Sequence, residues 1–372
     1  MTTTNTTLTD NTGTAPAFAG AARAEHYIET PPPAPPDAAH PAPTIADRSA
    51  ASAPLPPQIG DPFAELTQTP TADTGTAELV GIRAFLAGLG FPVGPSASQI
   101  AQRARDAGQR ENERIVRQAT WTRAVSILVA NPKGGVGKTP TSLILGGVLA
   151  SIRGGSVCVM EVADDPGALT FRSEGTPTLG IGDLITDLNH VHTAGHLAGY
   201  TAPQTSFASV LGTTTPRPPL TAENVTAVAT VVDEFYAIRV MDSGNQHSSA
   251  AFNAAVETAD ILVIPVMNAG DAALEAATLL RTLTARGGTA AAIAQNAILI
   301  RSTDGRPENP DVTARVETLL DSTGIQHRFD IPYDPHIAER GQISINRLTP
   351  ATYEAFTAAA AAVVRSLQAT VR

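Results

Sequence analysis

The chain has 372 residues, of which 42% are hydrophobic and only 4% aromatic, so its core must be built mainly from Ala, Val, Leu and Ile. A formal charge of −10 excludes a protein that binds polyanions through its net charge alone. The single cysteine, Cys158, excludes an intrachain disulfide and fits a reducing compartment, and no apolar run approaches the ~20 residues that span a bilayer.

Residues 1–75 are rich in Thr, Ala and Pro, with the sequence PPPAPP at positions 31–36. They carry eight acidic and two basic residues, a charge of −6 that leaves −4 for the rest of the chain. Because a segment with so few large apolar residues cannot offset the entropy of ordering, we predict a disordered tail. The first residues also lack the basic and apolar regions of a secretory signal, so we expect a cytoplasmic protein without stable membrane insertion.

Residues 76–120 are predicted to form a helical linker region between this tail and a folded domain over 121–372. Apolar residues over 79–89 indicate a short helix, and a second helix is predicted over 97–118. In the second helix, arginines and acidic residues are interleaved: Arg103, Arg105, Arg110, Arg114 and Arg117 with Asp106, Glu111 and Glu113. A solvated helical face is the favoured interpretation, and a helix that contacts DNA or a partner protein is the alternative.

Strand and helix patterns then alternate regularly along the chain. Strands are predicted at 125–130, 157–162, 207–211, 236–241, 261–266, 297–301 and 327–331. Helices are predicted at 139–152, 222–235, 250–258, 272–286, 312–322 and 352–369. Continuous apolar strands that alternate with amphipathic helices predict an α/β fold, with a mostly parallel twisted sheet and helices on both of its faces.

The sequence NPKGGVGKT, residues 131–139, lies between the first strand and the first helix of this domain and contains the only lysines of the chain, Lys133 and Lys138. Glycines allow main-chain N–H groups to approach a polyphosphate, and the helix that follows directs its positive end at the same oxygens. Lys138 is expected to reach the β- and γ-phosphates of a bound nucleotide, and Thr139 to hold Mg²⁺. The predicted nucleotide-binding residues of the loop are Gly134, Gly135, Val136, Gly137, Lys138, Thr139 and Pro140.

The sequence KGGVGKT resembles the deviant Walker A motif of the ParA/MinD family of ATPases, and the resemblance covers roughly residues 124–370. It implies a P-loop NTPase fold of the ParA/MinD type. It also implies a homodimer that forms on ATP binding, in which Lys133 reaches the ATP of the partner subunit. The sequence KTPT at 138–141 and the long N-terminal tail further resemble ParA-like partition proteins of high-GC actinobacteria.

In that family, an acidic motif after the second strand positions and activates the attacking water. Counting from the phosphate-loop helix places its first acid on Glu161, whereas counting back from residues 167–170 places its second acid on Asp164, and the two counts disagree by one residue. We favour Asp164 as the water-positioning group and Glu161 as a supporting or magnesium-associated carboxylate. The candidate catalytic residues are therefore Glu161 and Asp164, together with Lys133 and Lys138.

A further carboxylate, Asp242, follows an apolar strand about 100 residues after the phosphate loop. P-loop NTPases need a carboxylate in this position close to Mg²⁺, and we expect Asp242 to support the ion from behind Thr139. Ser243 and Asn245 are candidates for contacts near the γ-phosphate. Arg239, within the same strand, is unusual for a buried segment, and we expect it at a sheet edge or at a dimer surface.

The resemblance also places the adenine at the end of a late strand and in the loop that follows it, where Arg301 and Pro332 are candidate contacts. The predicted function is an ATP-dependent dimerising switch with weak hydrolysis that a ParB-like or other protein activator stimulates. Plasmid or chromosome partition on non-specific DNA is the favoured role, and a nucleoid-associated location would accompany it. The alternatives are a regulatory or scaffold subunit of a secretion or conjugation apparatus and a MinD-like positioning protein, and the weakly basic C-terminal helix disfavours the latter.

Overall fold

The computed structural model describes residues 96–371. The predicted tail over 1–75 and the predicted short helix over 79–89 lie outside the described residues, so both stay predictions. Within the described part, the chain forms one sheet with helices on both faces, as the alternation of strand and helix patterns predicts.

The sheet contains eight strands within residues 96–371. They are β1 Val125–Val129, β2 Val157–Glu161, β3 Ala202–Pro203, β4 Ser209–Leu211, β5 Ile238–Asp242, β6 Ile261–Met267, β7 Ile298–Ser302 and β8 His327–Ile331. Their order across the sheet is β3-β4-β2-β5-β1-β6-β7-β8, and all neighbours pair in parallel except β3 with β4. Because β1 pairs with β5 on one side and β6 on the other, the loop after β1 leaves the sheet near its centre.

Helices cover both faces of this sheet. They are α1 Ala97–Gln118, α2 Lys138–Arg153, α3 Leu169–Arg172, α4 Ile181–Asp187, α5 Ala194–Ala198, α6 Ala222–Phe235, α7 Ala250–Glu257, α8 Gly270–Arg286, α9 Gly288–Gln295, α10 Pro310–Asp321, α11 Pro335–Ala338 and α12 Pro350–Thr370. Apolar side chains of α1, α2 and α12 form the core on one face. Those of α4 to α10 form the core on the other face. The inner strands β1, β2, β5 and β6 are therefore buried on both sides and read as largely apolar runs.

Some elements differ from the sequence-based predictions. Helices α3, α4, α5, α9 and α11 and strand β3 were not predicted. All of them except α9 are only two to seven residues long, and α9 follows α8 directly. Gly287, with a φ of 78°, turns the chain between α8 and α9, so one long alanine-rich region contains two helices. The strand predicted from residue 207 begins at Ser209, because Phe207 has a φ of 69° and lies in a turn.

Arg239 occupies neither a sheet edge nor a surface, so both expectations for it are wrong. Strand β5 lies between β1 and β2, and Arg239 is only 2% exposed. Its guanidinium donates to Asp233 Oδ2 at 2.5 Å, to the carbonyl of Ala229 and to the hydroxyl of Ser126. The carboxylate on α6 and these neutral acceptors explain how the middle of the sheet accommodates a charge.

The two terminal helices of the described region pack side by side. Helix α12 buries its apolar face against the domain, which confirms the interpretation of the C-terminal helix as a packing element. Helix α1 begins with a capping box at Ser96 and buries Val116 near its end. Arg153 fixes that end, because its guanidinium donates to the carbonyls of Val116 and Ala119 at 2.8 and 2.9 Å. None of the helices between residues 96 and 371 has the length and apolar composition that spanning a bilayer requires.

Candidate functional site

A cavity of about 710 Å³ lies outside the carboxyl ends of the parallel strands. Its walls come from the segments that follow β1, β2, β5, β7 and β8. In an open α/β sheet this edge is where ligands bind, because the loops there converge and helix N-termini point toward it. The loop predicted to bind phosphate contributes Gly135, Val136, Gly137, Lys138 and Thr139 to the wall.

The backbone of this loop has the conformation that its glycines were expected to provide. Gly135 and Gly137 have φ values of 81° and 91°, in the left-handed region that other residues avoid. Gly137 is the N-cap of α2, which begins at Lys138, and Pro140 lies in the first turn. The unpaired N–H groups and the positive end of α2 therefore face the cavity, as a phosphate group requires.

Lys138 is buried at the foot of the loop, although its ammonium group carries charge. Its Nζ donates to the main-chain oxygens of Asn131 and Lys133 at 2.9 and 3.1 Å and to Asn245 Oδ1 at 2.6 Å. Burial lowers the pKa of Lys138 to about 8, against the opposing attraction of Asp242. An ammonium that gives up hydration without a paired carboxylate is a strong binding group for an incoming anion.

Asp242 joins the phosphate loop to the end of β5. Its Oδ2 accepts a hydrogen bond from the Thr139 hydroxyl at 2.7 Å, and its Oδ1 accepts one from Ser142 at 3.1 Å. Burial raises the pKa of Asp242 to about 6, the two hydroxyl donors oppose that rise, and nearby Glu161 adds to it. The structure thus brings together two residues that the sequence predicted as magnesium-associated from positions 103 apart.

Lys133 differs from Lys138 in that its side chain is 42% exposed. Its Nζ forms an ion pair with Asp271 Oδ2 at 2.7 Å, and Asp271 lies in the first turn of α8. The hydrogen bond from Lys133 lowers the pKa of Asp271. The side chain of Asn131 fixes the base of the loop, because its Oδ1 accepts from Lys133 N at 3.0 Å and its Nδ2 donates to the carbonyl of Pro265 at 2.9 Å.

The two candidate acids after β2 occupy different places. Glu161, at the end of the strand, is 1% exposed and forms part of the cavity wall. Asp164 lies three residues further along the loop, is half-buried, and its carboxylate approaches Gly244. Its main-chain oxygen accepts from Leu220 N at 3.0 Å. Ala163, but not Asp164, belongs to the cavity lining.

Arg217 is a residue of this site that the sequence analysis missed. Its guanidinium pairs with Glu161 Oε1 at 2.6 Å, and the two side chains are 3% and 1% exposed. Arg217 lies in the irregular segment between β4 and α6, in the sequence TPRPP. One signal was available, namely an arginine within a Pro- and Thr-rich segment, but it does not tell which distant carboxylate the arginine meets.

Only one of the two candidate adenine contacts lies in the cavity wall. Pro332 lies in the wall together with Ser302 and Thr303. Arg301 is not part of the wall, because its guanidinium forms ion pairs with Glu317 and with Asp330 on β8. Adenine contact therefore stays a prediction for both residues. Of the two, Pro332 lies in the cavity wall, where a bound base could reach it.

The residues of the cavity fit a nucleoside triphosphate with Mg²⁺. Lys138 and the N-terminus of α2 offer positive charge, and the loop glycines leave space for close approach of an anion. Thr139 and Asp242 provide the hydroxyl and carboxylate oxygens that Mg²⁺ prefers. The Oε2 atom of Glu161 is buried without a hydrogen-bond partner, so a polar acceptor in the wall is unsatisfied.

Comparison with solved structures finds one that shares this fold. The ParA family ATPase from Chlorobium tepidum TLS matches with a TM-score of 0.52 and 16% identity, over 64% of this chain and 98% of that chain. The MinC:MinD cell division protein complex from Aquifex aeolicus matches with a TM-score of 0.48 and 20% identity, over 66% of this chain and 96% of that chain. A putative plasmid partition protein from Borrelia burgdorferi B31 bound to AMPPNP gives 0.44 and 12%, over 66% and 98%. At such identities, the first match establishes the fold alone.

No protein-family model matches the chain, and no curated protein matches it either.

Proposed function

We propose that the chain is an ATPase of the ParA/MinD type, which binds ATP with Mg²⁺, dimerises in that state and returns to monomers after hydrolysis. The observation that supports the proposal most strongly is the joined arrangement of the phosphate loop and β5. Lys138, held by Asn245, and Thr139, held by Asp242, face one cavity at the centre of the sheet edge. A chance glycine-rich turn would not bring together an ammonium without a carboxylate partner, a hydroxyl and a carboxylate.

Each group has a role that follows from its contacts. Lys138 would exchange its neutral acceptors for phosphate oxygens, a favourable exchange for a buried ammonium. Thr139 would hold Mg²⁺, with Asp242 behind it as the carboxylate that orients the hydroxyl. Mg²⁺, when bound, neutralises charge on the β- and γ-phosphate oxygens.

The contacts favour Glu161 over Asp164 as the acceptor that positions the attacking water, although the family resemblance favoured Asp164. Glu161 has a free oxygen and lies in the cavity wall, whereas Asp164 does not line the cavity. Replacement by the isosteric amides separates the two. Glu161→Gln should reduce turnover far more than Asp164→Asn, measured as phosphate release at saturating ATP. The reverse order would return the role to Asp164.

Partition of plasmid or chromosomal DNA is the role that we propose for this ATPase, with a ParB-like protein as the activator. Helix α1 supports DNA contact, because its five arginines are exposed and outnumber its three acidic residues, a local charge of +2 in a chain of −10. Binding to phosphates by such a surface would be independent of sequence and sensitive to salt.

Size analysis by sedimentation tests the proposal directly. Samples of the full chain with ADP, ATP or a slowly hydrolysed ATP analogue should give dimers with ATP and its analogue only. Added non-specific duplex DNA should co-sediment in the ATP state and dissociate as salt rises. Failure to bind nucleotide would overturn the ATPase proposal. ATP-dependent dimers that do not bind DNA would overturn the partition role. The two alternatives would then remain, a scaffold subunit of a secretion or conjugation apparatus and a MinD-like positioning protein.

A further inference from the structure

The guanidinium of Arg217 makes contacts to two parts of the candidate site at once. Its Nη2 donates to Glu161 Oε1 at 2.6 Å, and its Nε donates to the Thr213 hydroxyl at 2.9 Å. Its two terminal nitrogens also donate to four main-chain carbonyls. These are Asp164 O at 2.7 Å, Ala163 O at 3.0 Å, Asp165 O at 3.3 Å and Pro218 O at 3.0 Å. All three nitrogens are therefore engaged.

These contacts determine which carboxylate oxygen of Glu161 is free. Oε1 accepts from both Arg217 and the Thr213 hydroxyl. Oε2 has no partner among the described residues and is buried. A Cβ atom at Gly167 would lie 2.9 Å from Oε2, so the absence of a side chain at Gly167 leaves space beside this oxygen. Gly167 and Glu161 both line the cavity.

The same contacts hold the loop that separates β2 from α3. Residues 165–168 are exposed, and four consecutive exposed positions provide little packing of their own. Arg217 binds the carbonyls of three consecutive residues, 163, 164 and 165, immediately before and within this segment. The loop and the carboxylate thus share one buried anchor.

Stability alone is a weak reason for such an arrangement, because a buried ion pair loses hydration energy that its attraction often does not exceed. The chain offers an internal comparison. Arg239 is equally buried and pairs with Asp233, but its contacts lie in the middle of the sheet and on α6, away from the cavity. Arg217 differs in that its partner is a residue of the cavity wall.

We propose that Arg217 is a positioning residue for hydrolysis, which orients Glu161 so that Oε2 faces the phosphate end of the cavity and keeps loop 163–168 in place around it. The inference rests on the proposed ATPase function and adds to it a residue that acts through Glu161. Lysine cannot replace the guanidinium, because a single ammonium nitrogen has three donors and cannot span Thr213, Glu161 and the loop carbonyls.

The main test compares Arg217→Lys with Arg239→Lys, a matched change in the other buried arginine. ATP affinity, kcat, KM and melting temperature are measured for the full chain with Mg²⁺. For Arg217→Lys we expect kcat to fall about 100-fold, the loss typical of a group displaced by about 1 Å, with ATP affinity within about threefold of the wild type. Arg239→Lys should lower the melting temperature and leave kcat within about twofold. A kcat for Arg217→Lys that matches Arg239→Lys would overturn the inference.

Two gentler variants keep the test informative if Arg217→Lys does not fold. Thr213→Val removes one hydrogen bond to Glu161 Oε1 and should reduce kcat about tenfold. Gly167→Ala introduces a methyl group beside Oε2 and should reduce kcat without changing ATP affinity. Its control is Gly108→Ala on α1, where an added Cβ meets nothing within 4 Å. Wild-type turnover in both Thr213→Val and Gly167→Ala would overturn the proposed positioning.

Hydrogen exchange separates this inference from the ATPase proposal. In the absence of nucleotide, Arg217→Lys or Thr213→Val should speed amide exchange over residues 163–168 and leave β5 unchanged. Unchanged exchange in that loop would overturn the positioning role whether or not the wild type hydrolyses ATP. If the wild type binds no nucleotide, the ATPase proposal is overturned and the role of Arg217 in hydrolysis with it, whereas faster loop exchange in the variants would still show that Arg217 holds residues 163–168 in place.

Discussion

The two lysines of the chain lie five residues apart on one loop but have opposite environments. Lys138 is buried, donates to three neutral oxygens and has a pKa lowered to about 8. Lys133 has a side chain that is 42% exposed and forms an ion pair with Asp271, which raises the pKa of Lys133. The buried ammonium of Lys138 has no carboxylate partner and can bind an anion in the cavity of its own subunit. The more exposed ammonium of Lys133 can exchange Asp271 for a negatively charged group of another subunit. This difference supports two separate roles for the lysines.

The largest expected effect is on Lys138. Lys138→Ala should weaken ATP binding at least about 100-fold, because it removes the only ammonium that the described residues place in the cavity wall. Equilibrium binding of a fluorescent ATP analogue measures the loss. Retention of wild-type affinity would contradict the assignment of the loop as the phosphate site.

Lys133→Ala should leave ATP affinity within about threefold, since the Lys133 side chain lies outside the cavity wall in the monomer. It should abolish both ATP-dependent dimers and turnover, because the proposed contact of Lys133 is with the ATP of the partner subunit. Sedimentation with ATP and phosphate release measure these two effects. If this variant formed ATP-dependent dimers as stable as those of the wild type, the proposed contact of Lys133 with the ATP of the partner subunit would be wrong.

The pH dependence of binding sharpens the comparison. The lowered pKa of Lys138 means that the fold without a ligand disfavours the ammonium. Lys138 therefore destabilises the fold fully below about pH 8. The destabilisation disappears as the pH rises from there toward the pKa that Lys138 has in the unfolded chain. ATP requires the ammonium, and its affinity should therefore fall above about pH 8.

The decrease in ATP affinity that we expect at acidic pH depends on Asp242, whose raised pKa favours the protonated carboxyl in the fold. Its contribution to stability is present below the unfolded pKa and is lost as pH rises through about 6. Magnesium-dependent binding needs the carboxylate and should fall below about pH 6, which gives a bell-shaped profile. Titration with ADP in the absence of Mg²⁺ should keep only the alkaline limb, and an acidic limb of equal size there would contradict the role of Asp242.

The smallest effect is expected at Asp271. Asp271→Asn releases Lys133 from its intrasubunit ion pair and should favour the ATP-dependent dimer, but by no more than about threefold, because an exposed pair contributes little. The midpoint of dimerisation in a concentration series measures the shift. A midpoint that moves to higher concentration would indicate that Asp271 takes part in the dimer itself.

The continuous apolar strands made the fold predictable, because strands covered on both faces of a parallel sheet carry unbroken apolar runs. The glycines between β1 and α2 predicted the turn that the structure has there, and phosphate binding by that turn stays a prediction. The predicted helix over 97–118 has the bounds that the structure shows. The acidic loop was less predictable. Two motif counts gave Glu161 and Asp164 and disagreed by one residue, and the choice of Asp164 rested on the family resemblance, because the contacts of the two carboxylates depend on residues distant in sequence.

The sequence by itself determined that a glycine-rich turn connects a buried strand to the start of a helix, because glycine conformations and the start of a helix depend on near neighbours. Only the tertiary structure decided which distant side chains meet there. Asp242, 103 positions after Thr139, reaches the candidate site because β5 pairs with β1. Arg217, 56 positions after Glu161, reaches it from the irregular segment after β4, because β4 pairs with β2. Arg239 shows the same limit, because an arginine in an apolar strand is interpretable only once Asp233 on the neighbouring helix is known to neutralise it. Such long-range pairs depend on the order of strands in the sheet, which no local window of residues contains.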